Sequence, residues 1–435
     1  MLEKLFGLSA RHTTRATEVR AGFVTFLTMA YILFVNPQIL AQAGMPAEDV
    51  AVATALAAAF ATLVMGLWAN FPFALAPGMG LNAYFTFGVV GALGVSWQTA
   101  LGAVFVEGLL FLALSLLGAR TALMAAIPLP IKIATSTGIG LFLAIIGLTN
   151  AGLVVDHPAT LVTLGDLREP SAWLALLGIP VIAALMARRV PGAVLIGIGA
   201  LTLVAWSFGL APAPESFVTL PGLPRQTLLA FDVQRALSLE MLPVVLAFLF
   251  VDIFDTSGTL IGVGRLAGFT DTRGDFPGSE RAFTADALGT TVGALLGTST
   301  VTTYIESSAG IGEGGRTGLA ACVTAGLFVL ALFVTPTLAA IPAFATGPAL
   351  VVVGAMMMQA ARELDWTKPE DAVPAFLTTA AMPFTYSIAN GIVLGILSYT
   401  AIRVMVGRAR EVHPLLYGLA ALLIGYQVLR YLFSV

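Results

Sequence analysis

Asp252 and Asp255 stand three residues apart inside the apolar run Val244–Leu260, which reads VVLAFLFVDIFDTSGTL. On a helix that spacing puts both carboxyls on roughly one face, with Thr256 and Ser257 on the next turn. Two carboxylates in so apolar a run cannot both stay ionised cheaply, so at least one holds a proton or a bound partner. A purely structural ion pair lacks its cation, because Lys and Arg occur only near the ends of the apolar runs. A second group lies in 297–314, GTSTVTTYIESSAGIGEG, where Glu306 and Glu313 stand among hydroxyls and glycines. Broken helix at membrane depth is tolerated only where it is buried in protein or lines a cavity, and an ionisable residue there marks a functional site by default. The third group is FPFALAPGMGLNAYFTFG at 71–88. Pro77, Gly78 and Gly80 break a helix and leave an extended piece whose amides can face a ligand. Asn82 follows with two donors and an acceptor, suited to the edge of a planar heterocycle or to an interhelical hydrogen bond.

The elements that must position these groups are membrane helices. Only 10% of the 435 residues are charged and 58% are hydrophobic, against roughly 25% charged in soluble domains. Runs of span length, about 20 apolar residues, fall near 20–43, 50–68, 73–89, 98–117, 129–150, 171–187 and 190–210. After a polar, Pro-rich connection at 211–239 come 240–263, 282–297, the broken 298–314, 316–336, 345–360, 372–387 and 388–406. This predicts an all-α polytopic membrane protein of fourteen transmembrane segments. A further apolar run at 414–434, within a C-terminal stretch 408–435, is either an extra span or an interfacial helix. The first run is too long for the apolar part of a cleaved signal peptide and reads as a retained span.

With a cytoplasmic N-terminus, the outer segments hold only Arg168, Arg225 and Arg235. The inner ones hold Lys4, Arg11, Arg15, Arg20, Arg120, Lys132, Arg188, Arg189, Arg265, Arg273, Arg281, Arg316, Arg362, Lys368, Arg403, Arg408 and Arg410, with Arg430 unassigned. That asymmetry fixes the expected orientation in a cell (inner) membrane.

The halves 1–210 and 240–407 echo each other. MAAIP at 124–128 precedes TGIG from Thr137 in the fifth span, and LAAIP at 338–342 precedes TGPA from Thr346 in the twelfth. APGMGLN at 76–82 in the third matches SAGIGEG at 308–314 in the tenth. Seven spans per half make the second half inverted, and inverted repeats with paired interrupted segments point to a transporter site near the bilayer midplane.

Other chemistries fit poorly. Cys322 is a single thiol inside an apolar run, and His12, His157 and His413 are far apart, so neither disulfides nor a histidine metal site is expected. Gly310, Gly312 and Gly315 match GxGxxG without a βαβ context, and no GxxxxGK[ST] occurs, which excludes an ATP-driven pump built from this chain alone. No basic cluster suggests nucleic acid. An anion carrier of sulfate or bicarbonate type would want a cation or bare helix N-termini rather than carboxylates. An intramembrane enzyme lacks a nucleophile and base, and a passive channel has no use for the repeat. No cofactor and no enzymatic activity are expected.

NPQIL at 36–40, APGMGLNAYF, VDIFDTSGTL, TYIESSAGIGEGGRTGL and MPFTYSIANGI together resemble the AzgA-like branch of the nucleobase:cation symporters, the purine permeases, over nearly the whole chain. The resemblance implies two inverted seven-span repeats divided into a core domain (about 20–117 and 240–336) and a gate domain (about 129–210 and 345–407). It implies short strands in spans 3 and 10 that meet beside the substrate. It also implies uptake of hypoxanthine, guanine or adenine by alternating access. Carried over by motif, Asp252 and Glu306 engage the purine, Asn82 supports the site, and Gly80, Asp255 and Thr256 are accessory. Related uracil and xanthine carriers have a histidine near Thr256, and its absence here leaves the proton relay open. Asp252, Asp255 and Glu306 are the candidate proton-coupling residues. Sodium is the competing ion, with the TSTVTT hydroxyls as its expected neighbours, and a homodimer is left open.

Overall fold

The computed structural model describes residues 2–118, 127–269, 277–421 and 424. Arg120, Arg273, Arg430, the first residues of the MAAIP echo and most of 414–434 lie outside the described residues.

Among the described residues nine helices are long and apolar enough to cross a membrane. They are spans 1 (Arg15–Ala41), 2 (Ala47–Ala69), 4 (Trp97–Leu116), 5 (Leu129–Asn150), 6 (Pro170–Ala187), 8 (Leu242–Leu266), 11 (Gly318–Ala339), 12 (Ala343–Glu363) and 14 (Ile388–Met405). Shorter or less apolar helices fill the positions of span 7 (Ala193–Ser207), span 9 (Ser279–Leu296) and span 13 (Pro369–Thr385). Spans 3 and 10 are broken. Each is a three-residue strand, β1 (Leu75–Pro77) or β4 (Val301–Thr303), followed by a short helix, Met79–Ala83 or Ser307–Gly312. The expected fourteen segments are therefore present in the expected order. Beyond span 14 the chain turns, and residues 414–421 are helical again.

The strands pair antiparallel, Leu75 opposite Thr303 and Pro77 opposite Val301. Pro77 has no N–H to give and Val301–Thr303 is β-branched throughout, so neither sequence favours a helix. Each strand is clasped by a threonine of the preceding span. The Thr62 hydroxyl lies 3.0 Å from Leu75 O and 2.9 Å from Leu75 N, and that of Thr290 lies 2.8 Å from Val301 O and 3.2 Å from Val301 N. The buried backbone is thus satisfied within the protein, as the bilayer demands.

Packing repeats with the halves exchanged. Span 4 packs on span 9 as span 2 packs on span 11, span 6 on span 12 as span 5 on span 13, and span 6 on span 7 as span 13 on span 14. Spans 5 and 12 meet backbone to backbone: a Cβ at Gly140 would stand 2.6 Å from Gly354 O, and one at Gly147 2.6 Å from Gly347 O. Small residues permit this approach where lipid gives no hydrophobic drive for helix association. A second β-pair, β2 (Val154–His157) with β3 (Leu161–Leu164), links spans 5 and 6 and was not anticipated.

Two buried ionic devices tie helix ends. Glu18 of span 1 accepts from the backbone N–H groups of Arg316, Thr317 and Ala320 at 2.8, 3.2 and 3.3 Å, so an anion caps the start of span 11. Near the end of span 14, Arg403 donates to Asp371 at 2.6 Å and Glu411 at 2.8 Å. Arg403→Ala is expected to lower stability by about 3 kcal/mol, since it strands the largely buried Asp371. The check is the thermal midpoint in detergent, and an unchanged midpoint would refute it.

Candidate functional site

Glu306 immediately precedes the short helix Ser307–Gly312 and is half-buried, with its Oε1 accepting from the Tyr31 hydroxyl at 2.6 Å and its backbone oxygen from Thr28 at 3.3 Å. Asp255 is half-buried and close enough to feel the charge of Glu306. Ile305, at 43% exposure, and the exposed Gly258 lie beside them, so these two carboxyls border accessible space. Removing the Tyr31 hydroxyl strips Glu306 of a charge-assisted bond worth about 1.5 kcal/mol. Tyr31→Phe should therefore raise the KM for substrate about tenfold while leaving the maximal rate near wild type, as measured by initial uptake rates.

Asp252 lies elsewhere. It is fully buried, on the side of span 8 turned to spans 4 and 9, where it meets Glu107 and Asp286, both also fully buried. One turn along the helix separates a closed carboxyl from a partly open one.

Thr256 knits this group together. Its hydroxyl is 2.8 Å from Asp286 Oδ2, 3.3 Å from Asp252 Oδ1 and 2.8 Å from Thr302 Oγ1. A hydroxyl has one proton, and both 2.8 Å contacts, to Asp286 and to Thr302, are closer than the one to Asp252. Asp286 also accepts from Thr303 at 2.9 Å. Thr290, 3.4 Å from Asp252 Oδ2, donates instead to Val301 O at 2.8 Å. Asp252 is left without a donor committed to it.

Asn82 is fully buried on the short helix of span 3, its Oδ1 accepting from Ser299 and its Nδ2 without a partner. Gly80 belongs to the same helix rather than to the extended piece, which ends at Pro77. What needs glycine at 80 is a neighbour, for a Cβ there would stand 2.5 Å from Ile139 Cγ2 of span 5. Glu313 sits near the N-terminal end of the bundle, paired with Arg20 at 2.9 Å.

The TSTVTT hydroxyls are mostly engaged. Thr298 accepts from Asn36, Ser299 donates to Asn82, and Thr302 and Thr303 join the group around Asp286, which leaves Thr300 without a partner. Among the described residues no group of three His, Cys, Asp or Glu is arranged to hold a metal ion.

Glu107 and Asp286 escaped the reading of the sequence. Glu107 is the one charge in WQTALGAVFVEGLLFLALSL, and Asp286 stands in SERAFTADALGTTVGALL. A lone acid inside an apolar span was signal enough to find them.

A family model for xanthine/uracil permeases, described as "Permease family", matches residues 16–394. The adenine permease AdeP of Escherichia coli is 43% identical over 98% of this chain and 95% of its own. The guanine/hypoxanthine permease PbuO of Bacillus subtilis is 44% identical over 96% of this chain and 98% of its own. Among solved structures, the transmembrane domain of the cyanobacterial bicarbonate transporter BicA superposes with a TM-score of 0.65 at 18% identity, over 86% of this chain and 97% of that one, which shows the shared fold. The chain is a multi-pass membrane transporter, not an enzyme, and it belongs to the xanthine/uracil permease family.

Proposed function

We propose that the protein takes up purine nucleobases, adenine, guanine or hypoxanthine, across the cytoplasmic membrane, coupled to protons and with its N-terminus cytoplasmic. The observation that carries the reading is the pair Asp255 and Glu306, two carboxyls bordering accessible space beside the paired strands, with no cation among the described residues that act on either. Carboxylates accept the ring N–H groups of a purine, and the unpartnered Asn82 Nδ2 lies on the neighbouring short helix as a donor. Asp252 stands behind them rather than in front, so its part is in the proton step. Full-length likeness to adenine and guanine/hypoxanthine permeases supports a nucleobase. The fold shared with a bicarbonate carrier does not bring its substrate along, because fold alone does not fix function.

Two bodies carry the movement in this reading. Spans 1–4 and 8–11 hold the site, and spans 5–7 and 12–14, joined at the glycine crossing, form the gate. Uptake of radiolabelled hypoxanthine, adenine, guanine, xanthine and uracil in a transport-deficient bacterium tests it. Accumulation of purines, abolished by a protonophore and indifferent to sodium, is expected. Sodium-dependent uptake, or no uptake of any purine, would refute it.

A further inference from the structure

We propose that Glu107 of span 4 and Asp252 of span 8 hold the coupling proton between them, in a closed site behind the carboxyls that meet the nucleobase. The proposal rests on the proton-coupled nucleobase reading above and locates its ion.

The geometry is that of two buried acids short of donors. Both Glu107 oxygens are buried without a hydrogen-bonding partner, and the residue has no exposed surface. Its neighbours are the Asp252 carboxyl and the Thr300 hydroxyl, which itself makes no bond of good geometry. The two hydroxyls near Asp252 each spend their single proton on another acceptor 2.8 Å away. A buried carboxylate with neither cation nor donor costs several kcal/mol. Two side by side are held at least cost when a proton lies between them, as in the carboxyl pairs of aspartic proteases. Asp286, by contrast, has Thr256 and Thr303 as donors and can remain an anion. That difference selects the pair from the triad.

The elements packed on span 4 bring mainly like charge to Glu107, and Tyr84–Gly91 of span 3 brings none. Span 8 brings Asp252 and Asp255, span 9 brings Asp286, and span 10 brings Thr300 and, beyond Asp255, Glu306. Among the described residues, none of the groups named as acting on these carboxyls is a Lys, Arg or His. The helix Val233–Ala236 carries Arg235, which is exposed beside the end of span 4. Asp255, one turn from Asp252 and partly accessible, is the step by which a proton enters and leaves. With the pair protonated, Asp255 and Glu306 face less negative charge behind them and are free to act as anionic acceptors.

The experiment uses the purified full chain in proteoliposomes, with hypoxanthine counterflow, accumulation driven by an acid-outside pH gradient, and hypoxanthine affinity in detergent across pH. Glu107→Gln should continue to exchange hypoxanthine, yet its accumulation ratio should fall to unity and its affinity should become insensitive to pH. Glu107→Asp, which keeps a carboxyl but draws it back from Asp252, should accumulate with a displaced pH profile. It serves as the deciding variant if the Gln protein does not fold. Wild-type accumulation and an unmoved pH profile in whichever variant folds would overturn the proposal. Absence of exchange by the wild type with hypoxanthine, adenine and guanine would instead overturn the nucleobase reading and this proposal with it.

Discussion

Glu306→Gln is expected to abolish nucleobase accumulation while leaving the amount and thermal stability of the protein unchanged. The Glu306 side chain makes no capping bond to the helix that follows it and accepts from Tyr31, and an amide of the same shape can still accept through its oxygen. The fold is thus preserved. What disappears is the anionic acceptor, and in its place stands an –NH2 group facing the ring N–H donors of a purine. Charge-assisted bonds contribute about 1.5–3 kcal/mol each, so losing one and opposing another costs on the order of a hundredfold or more in affinity. Uptake and detergent binding measured side by side check this. Wild-type affinity in a folded Glu306→Gln protein would remove Glu306 from the site.

Gly80→Val should be as severe, for a reason that lies between two helices rather than at the ligand. The added side chain meets Ile139, 2.5 Å from where its Cβ would stand, and Ile139 is fixed in span 5 close to the glycine crossing with span 12. Overpacking at such a contact typically costs 1–3 kcal/mol. Here the strain falls on the seam across which spans 3 and 5 would move, so transport should be lost before folding is. The distinguishing measurement is rescue. Gly80→Ala alone should transport poorly, and Gly80→Ala combined with Ile139→Ala should recover much of the rate. If the double variant is no better than the single, the contact with Ile139 is not what requires glycine.

The sequence made the scaffold readable because membrane spans announce themselves by length and apolarity, and each of the fourteen expected segments holds a helix or a broken span among the described residues. Pro77, Gly78 and Gly80 announced an extended piece, but the pairing of two strands was legible only through the resemblance, since three residues such as Leu75–Pro77 have no periodicity of their own. The β2–β3 pair was missed for a related reason: VVDHPATLVTL is too short and too mixed to stand out between two apolar helices. At the site, spacing placed Asp252 and Asp255 on roughly one face but could not say which of them meets open space. That depends on what spans 4, 9 and 10 bring against span 8, and the flanking residues are apolar on every side. Glu107 and Asp286 were visible as single acids, but their meaning lies in proximity to Asp252, which only the packing of spans 4 and 9 supplies.

The interior carboxyls have no cation to answer them, and this has an electrical consequence. If a neutral base crosses with one proton bound to the Glu107–Asp252 pair, and the pair returns without it, each cycle carries one positive charge inward. The membrane potential then acts on the cycle directly, at about 2.3 kcal/mol per charge for 100 mV, enough for a concentration ratio of roughly fifty at 1.4 kcal/mol per tenfold. A cell holding its voltage could therefore gather scarce base from the medium even at equal pH on the two sides.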